Sequence, residues 1–282
     1  MTSAPLFAID RSQPGVWRVT FSNPPINMLP PPAILELQAL VTAADDDASL
    51  KVLVFESADP DFFIAHFDTG RAAEMPREPG PSGHSPWIDV VVRLSRSPVV
   101  SIAKVRGRTR GVGSEFVLAC DLRFASRRSA VFGQPEVGVG LPPGGGALEW
   151  LPRLVGRARA LEIVLSGGDF DADVAERYGW VNRAFDDEAL DPFVDALAAR
   201  LASFDRPTLG ALKAQVSRVG VPSPDELETS NRMFWAALAT PASQVRRAHL
   251  GPLGYGARSD FELNFGERLL DLQPGHTAPS AT

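Results

Sequence analysis

The chain has 282 residues, 44% hydrophobic and 22% charged, with a formal net charge of −6. This is the composition of a globular protein with a substantial core, and its acidity excludes the basic, clustered footprint of a nucleic-acid binder. The single cysteine, Cys120, excludes an intrachain disulfide and any cysteine-based zinc site, and no apolar run reaches the length of a membrane span.

The first residues, MTSAPLFAID, lack a basic stretch ahead of an apolar core, so a soluble, reducing, cytoplasmic setting is expected. VWRVTF is β-branched and aromatic, and predicts a strand over Val16–Phe21. SNPPINMLPPP breaks regular structure, and its run of prolines suits the start of a helix in AILELQALVTAADDD, with Ile34, Leu37, Leu40 and Val41 on one face. KVLVFES, residues 51–57, is almost wholly apolar, as a strand covered on both faces should be. A short loop leads to FFIAHFD. Residues 70–86 are rich in proline, glycine and charge and read as a mobile surface loop. PWIDVVVRLSRS predicts a helix, and VVSIAKV the next strand, running into a glycine-punctuated turn, GRTRGVG. The recurring order predicts stacked β-β-α units, without a clear sequence repeat. Beyond residue 156 RARALEIVLSG, ADVAERYGWV, EALDPFVDALAARLASF, PTLGALKAQVSRV and SPDELETSNRMFWAAL all predict helices. Ser223-Pro224-Asp225-Glu226 is a strong helix start: a serine cap, proline in the first turn, then acids.

Two carboxylates stand close in sequence. Glu115 opens a helix among apolar neighbours; it reads either as an acid favoured at the positive end of that helix or as a pocket carboxylate with a raised pKa. Glu136, in FGQPE, reads either as a solvated loop acid or as a second carboxylate of the same site. GRTRGVG and PPGGG lack the G-x-x-x-x-G-K-[ST] and G-x-G-x-x-G patterns, so a nucleotide cradle is excluded; they suit close backbone approach with free N–H groups. The four histidines have no metal spacing, so His66 and Asp68 in IAHFD read as a loop histidine near an acid rather than a relay or a metal pair. G-x-S-x-G is absent, which removes a serine triad built on Ser114. The doublets Arg127-Arg128 and Arg246-Arg247 read as solvated charge, with a phosphate contact left open for one of them.

Taken together, ACDLRFAS, FGQPEVGVGL and LPRLVGRARALEIVLSG resemble the crotonase superfamily, the enoyl-CoA hydratases and isomerases. The resemblance runs over about residues 21–204 and is densest over 98–156. It implies an α/β fold, a ClpP-like spiral of β-β-α units. Residues 1–200 would form the core with the active site. Residues 201–282 would form a helical region for trimer assembly, with a disordered tail from about residue 273. It also implies a homotrimer or dimer of trimers, and an acyl-CoA thioester substrate whose coenzyme A is the only cofactor-like group, with no metal. The family's A-G-A-D pattern falls on Ala65-His66-Phe67-Asp68 and makes the Phe67 N–H one oxyanion donor. Its G-G-G-x-E pattern falls on 111–115 and makes the Val112 N–H the other. The hydratases' catalytic acids fall on Glu115 and Glu136, with the division between acid and base left open. Pro25, Ile26 and Met28 match positions near the coenzyme, and Ala65, His66, Asp68, Gly111, Pro135, Gly140 and Leu141 match substrate-binding positions.

Four departures accompany the match. His66 and Phe67 replace small residues, Val112 replaces a glycine, and Glu149-Trp150 replaces a Gln-Arg pair. Valine does not readily adopt positive φ, so the second donor requires that Val112 be spared it. The expected activity is hydration of a 2-enoyl-CoA, since two acids are kept. The alternatives are another acyl-CoA reaction on the same fold, such as double-bond shift or hydrolysis, and a non-catalytic acyl-CoA binder.

Overall fold

The structure, a computed structural model, describes residues 4–272, so the tail expected from about residue 273 lies outside the described residues. Two sheets organise the chain. The larger runs β1 (Phe7–Asp10), β2 (Val16–Phe21), β3 (Val52–Ser57), β5 (Val100–Val105), β7 (Leu122–Ser126) and β10 (Arg183–Phe185) in that order. The smaller runs β4 (Phe62–Ile64), β6 (Arg108–Arg110), β8 (Val131–Gly133) and β9 (Asp169–Asp171). Pairing is parallel except at β1–β2 and β8–β9.

The β-β-α units are visible in this order. β3 and β4 precede α2 (Pro86–Arg96), β5 and β6 precede α3 (Val112–Ala119), and β7 and β8 precede α4 (Ala147–Val155). Each unit lays its first strand in the large sheet and its second in the small one, so successive units add a parallel neighbour to both. The unit before them, β2 and α1 (Pro31–Asp46), keeps only a parallel bridge, Leu29 to Phe67, in the second place. This bridge fixes the turn that carries Phe67.

The apolar runs are explained by burial on both faces. In β3, Leu53 and Phe55 enter the main core, while Val52 and Val54 join Ile102 and Phe124 under α7 (Asp187–Ala202), which supplies Leu190, Val194 and Ala198. α5 (Arg157–Ser166) and α6 (Ala172–Tyr178) follow α4, and α8 (Arg206–Gly220), α9 (Pro224–Leu238), α10 (Pro241–Ala248) and α11 (Asp260–Leu263) make up the C-terminal part. Ser223 and Glu226 close the capping box expected at the start of α9.

Four local readings are corrected. GRTRGVG is not wholly a turn: Arg108–Arg110 is β6, flanked by Gly107 and Gly111 at φ 76° and 50°. Its charged residues mask a strand because the second sheet, not the main core, receives it. Residues 70–86 are not a free loop. They start in a 3-10 turn, Thr69–Glu74, and Asp89 then ties the segment down by accepting from Ser82 N (2.8 Å) and Gln38 Nε2 (3.0 Å). The helix in ADVAERYGWV stops at Tyr178, capped by Gly179 at φ 85°. β1 falls in a stretch in which no strand was expected.

The C-terminal helices pack back on the body of their own chain. Lys213 on α8 bonds to the Leu94 and Val99 carbonyls (3.1 and 2.9 Å) and pairs with Asp121 at 2.7 Å, and Asn231 on α9 donates to Gly144 O at 2.9 Å.

Candidate active site

One apolar cavity receives Glu115 and Glu136 together. Its floor comes from the glycine-bounded turn before α3, from the 3-10 turn Pro135–Val139, and from the loop before α4. Its roof comes from α9 and the segment beyond α10.

Glu115 lies in the first turn of α3 yet does not serve its own helix end. Its side chain crosses to α4, where Oε1 accepts from Gly145 N (2.6 Å) and Ala147 N (3.2 Å). The approach needs a glycine, because a Cβ on Gly145 would collide with Glu115 Oε2 and with the Trp87 indole nitrogen. Glu115 is only 3% exposed. Burial pushes its carboxyl up to about 7, against the downward pull of those two amides.

Glu136 is half-buried as a residue, with its carboxylate turned inward beside Gly111; a Cβ there would lie 2.9 Å from Oε1. The Gln134 amide, oriented to suit its neighbours, donates to both Glu136 oxygens at 3.1 Å and accepts from Ser114 Oγ at 3.0 Å. Burial first, and then the Glu115 charge, drive the Glu136 carboxyl well above its ordinary value. Both acids therefore hold protons more tightly than free carboxylates do, as general acid–base groups working near neutrality require.

Two backbone amides complete the wall. Val112 is the first residue of α3, and its N–H has no partner within the helix. The positive φ falls on Gly111, so Val112 is spared it. Phe67 is bracketed by Leu29, whose N–H bonds to His66 O (2.9 Å) and whose carbonyl accepts from Asp68 N (3.0 Å). This leaves the Phe67 N–H out of the ladder. Among the described residues neither amide has a hydrogen-bond partner.

The other expected positions divide. His66, Gly111, Pro135 and Leu141 line the cavity, while Pro25, Ile26, Met28, Ala65, Asp68 and Gly140 stand outside its wall. Ile26 and Ala65 fill a small separate core with Phe62, and Asp68 caps the 3-10 turn through Gly70 N. His66 does lie in the loop after β4, but the acid it meets is Glu262 rather than Asp68. It is 6% exposed and bonds Glu262 at 3.0 and 3.1 Å, and Glu262 is itself fully buried. Arg247 also departs from the reading of solvated charge, since it lines the cavity and donates to Leu238 O at 3.0 Å.

The sequence reading missed the roof. Phe234, Trp235, Tyr255 and Phe265 line the cavity from the far end of the chain, and Phe67 meets Phe234 and Trp235 edge-on at 6.4 and 6.3 Å. The adjacent aromatics of RMFWAAL, on an otherwise polar helix, were the available signal. Among the described residues no group of three or more His, Cys, Asp or Glu side chains could hold a metal ion, and no helix is long and apolar enough to cross a membrane.

Comparison with known proteins gives a consistent picture. The model of the enoyl-CoA hydratase/isomerase family matches residues 11–251. A crotonyl-CoA hydratase of Syntrophomonas wolfei is 35% identical over 191 residues, 66% of this chain and 72% of that protein. A short-chain-enoyl-CoA hydratase of Clostridioides difficile is 45% identical over 106 residues, 38% of this chain and 67% of that protein. A crystal structure from Streptomyces avermitilis, provisionally named an enoyl-CoA hydratase, superposes with a TM-score of 0.91 at 43% identity, covering 97% of this chain and 99% of its own.

Proposed function

This chain belongs to the enoyl-CoA hydratase/isomerase family, and on that footing we propose that it adds water across the 2,3 double bond of a 2-enoyl-CoA. The observation that carries this reading is one cavity walled by two buried-facing acids and two unpartnered amides.

The thioester oxygen takes the Phe67 and Val112 N–H groups. Glu115 and Glu136 hold a water over the double bond. Glu115, whose carboxylate is favoured by two amide donors, takes a proton from the water as hydroxide adds to C3. The electron pair moves through C2 onto the thioester oxygen, where the two amides stabilise the enolate; losing one such donor typically costs about 3 kcal/mol of barrier. Glu136, kept protonated by burial and by its charged neighbour, delivers a proton to C2. A proton then passes from Glu115 to Glu136 and resets the pair. Coenzyme A arrives with the substrate, and the reaction asks for no other cofactor.

Assembly follows the same reading. No residue of α8 is buried, and Leu212, Val216 and Val219, spaced along one face, are 61%, 76% and 89% exposed. Such a stripe suits contact between copies in a homotrimer or dimer of trimers. The acidic, single-cysteine composition suits the cytoplasm.

The test is kinetic. Loss of the conjugated enoyl-thioester absorbance is followed for the wild type, Glu115→Gln and Glu136→Gln. Each variant should lose about 10²- to 10⁴-fold in turnover. Wild-type activity no better than that of the double variant removes the hydratase assignment.

A further inference from the structure

The segment 255–263 reaches both turns that carry the free amides. On one side, Glu262 holds His66, the residue before Phe67, through Nε2 at 3.0 and 3.1 Å. Tyr255 stacks on the His66 ring with centroids 4.4 Å apart, and its hydroxyl lies 3.0 Å from Nδ1 and donates to Phe67 O at 3.4 Å. On the other side, the carbonyls of Glu262 and Leu263 accept from Arg110 at 2.7 and 3.2 Å. Arg110 is fully buried, forked onto Asp169 at 2.7 and 2.6 Å, and directly precedes Gly111 and Val112. Glu262 also accepts from Gly256 N at 2.8 Å, which ties the segment to itself.

These groups are expensive to bury. An ion pair withdrawn from water often contributes less than well-packed apolar side chains of the same volume, but its geometry is directional. Here direction is what the neighbouring turns need. An oxyanion donor works only within about 2.7–3.1 Å of the developing charge, and a misplacement of about 1 Å can cost roughly 10²-fold in rate.

We propose that Glu262, Tyr255 and Arg110 are positioning residues, through which the C-terminal segment sets the spacing of the Phe67 and Val112 amides. The inference rests on the acyl-CoA reading of the site. It makes the docked C-terminal segment part of the chemistry of its own subunit. Glu262 and Arg110 do not line the cavity and act only through the two turns, so the loss of Glu262 falls on kcat rather than on the apolar contacts that bind the thioester.

The readout is the polarisation of a bound carbonyl. The probe is 2,4-hexadienoyl-CoA, whose extended conjugation opposes hydration and whose absorption moves to the red when donors polarise the carbonyl. Glu262→Ala should shrink that red shift and lower kcat about 10- to 100-fold, with KM held within about threefold. Glu262→Gln, which keeps an acceptor for His66 and Gly256, should recover most of the shift. An intact red shift in Glu262→Ala overturns the proposal, whether kcat is unchanged or falls, because a smaller fraction of folded enzyme would leave the bound spectrum as it was. If Glu262→Ala does not fold, Tyr255→Phe, which removes one hydroxyl, is judged by the same criteria. A wild type that neither shifts the probe nor hydrates crotonyl-CoA sinks the acyl-CoA reading itself, and the positioning role with it.

Discussion

Replacing Glu115 by glutamine should stabilise the protein at alkaline pH while lowering its turnover about 10²- to 10⁴-fold. Burial raises the Glu115 carboxyl from an ordinary 4.5 to about 7. The folded chain therefore prefers the protonated acid. The stability linked to this group is whole below pH 4.5 and is lost as the pH rises through 7. At about 1.36 kcal/mol per pH unit, the loss is about 3 kcal/mol by pH 8. Glutamine keeps the Oε1 acceptor for Gly145 and Ala147 and has no charge to strip of water. Glu136 and Glu149, which are also raised by burial, remain in both proteins, so the comparison isolates Glu115 and its coupling to them. The assay is urea unfolding followed by tryptophan fluorescence from pH 5 to 8.5 at one fixed protein concentration. The variant's lead should grow from under about 1 kcal/mol at pH 5 to roughly 3 kcal/mol at pH 8. A variant no more stable than the wild type at pH 8, or a pH dependence that survives the substitution unchanged, refutes the account of Glu115 as a desolvated carboxylate.

Two further outcomes are expected. The kcat/KM profile should fall as pH drops below about 7, because Glu115 must be ionised to act as the base; it should fall again on the alkaline side as Glu136 loses its proton. A profile that stays flat from pH 5.5 to 8 contradicts the role of Glu115 as the base. Val216→Asp and Val219→Asp place charge on the exposed face of α8 and should yield smaller species in sedimentation velocity, whereas an unchanged profile removes α8 as the proposed contact between copies.

The sequence by itself determined three strands of the large sheet, β2, β3 and β5, and the two acids. VWRVTF, KVLVFES and VVSIAKV announce strands because a sheet covered on both faces leaves no polar alternation, and apolar runs are a local signal. The start of α9 is equally local, since a cap is made by residues three apart. Glu115 and Glu136 were legible as candidates because each sits beside glycine or proline punctuation, but their shared cavity was not. Tertiary structure decided that Glu115 serves α4 rather than its own helix, and that Arg108–Arg110 is a strand of the second sheet. It also decided that His66 answers to Glu262, 196 positions along the chain, rather than to Asp68 close by. The aromatic roof of Phe234, Trp235 and Tyr255 arrives in the same way. The physical reason is common to all of these. Capping, turns and burial periodicity act between near neighbours, whereas the partner of a buried charge is chosen by whichever distant segment packing brings within hydrogen-bond reach.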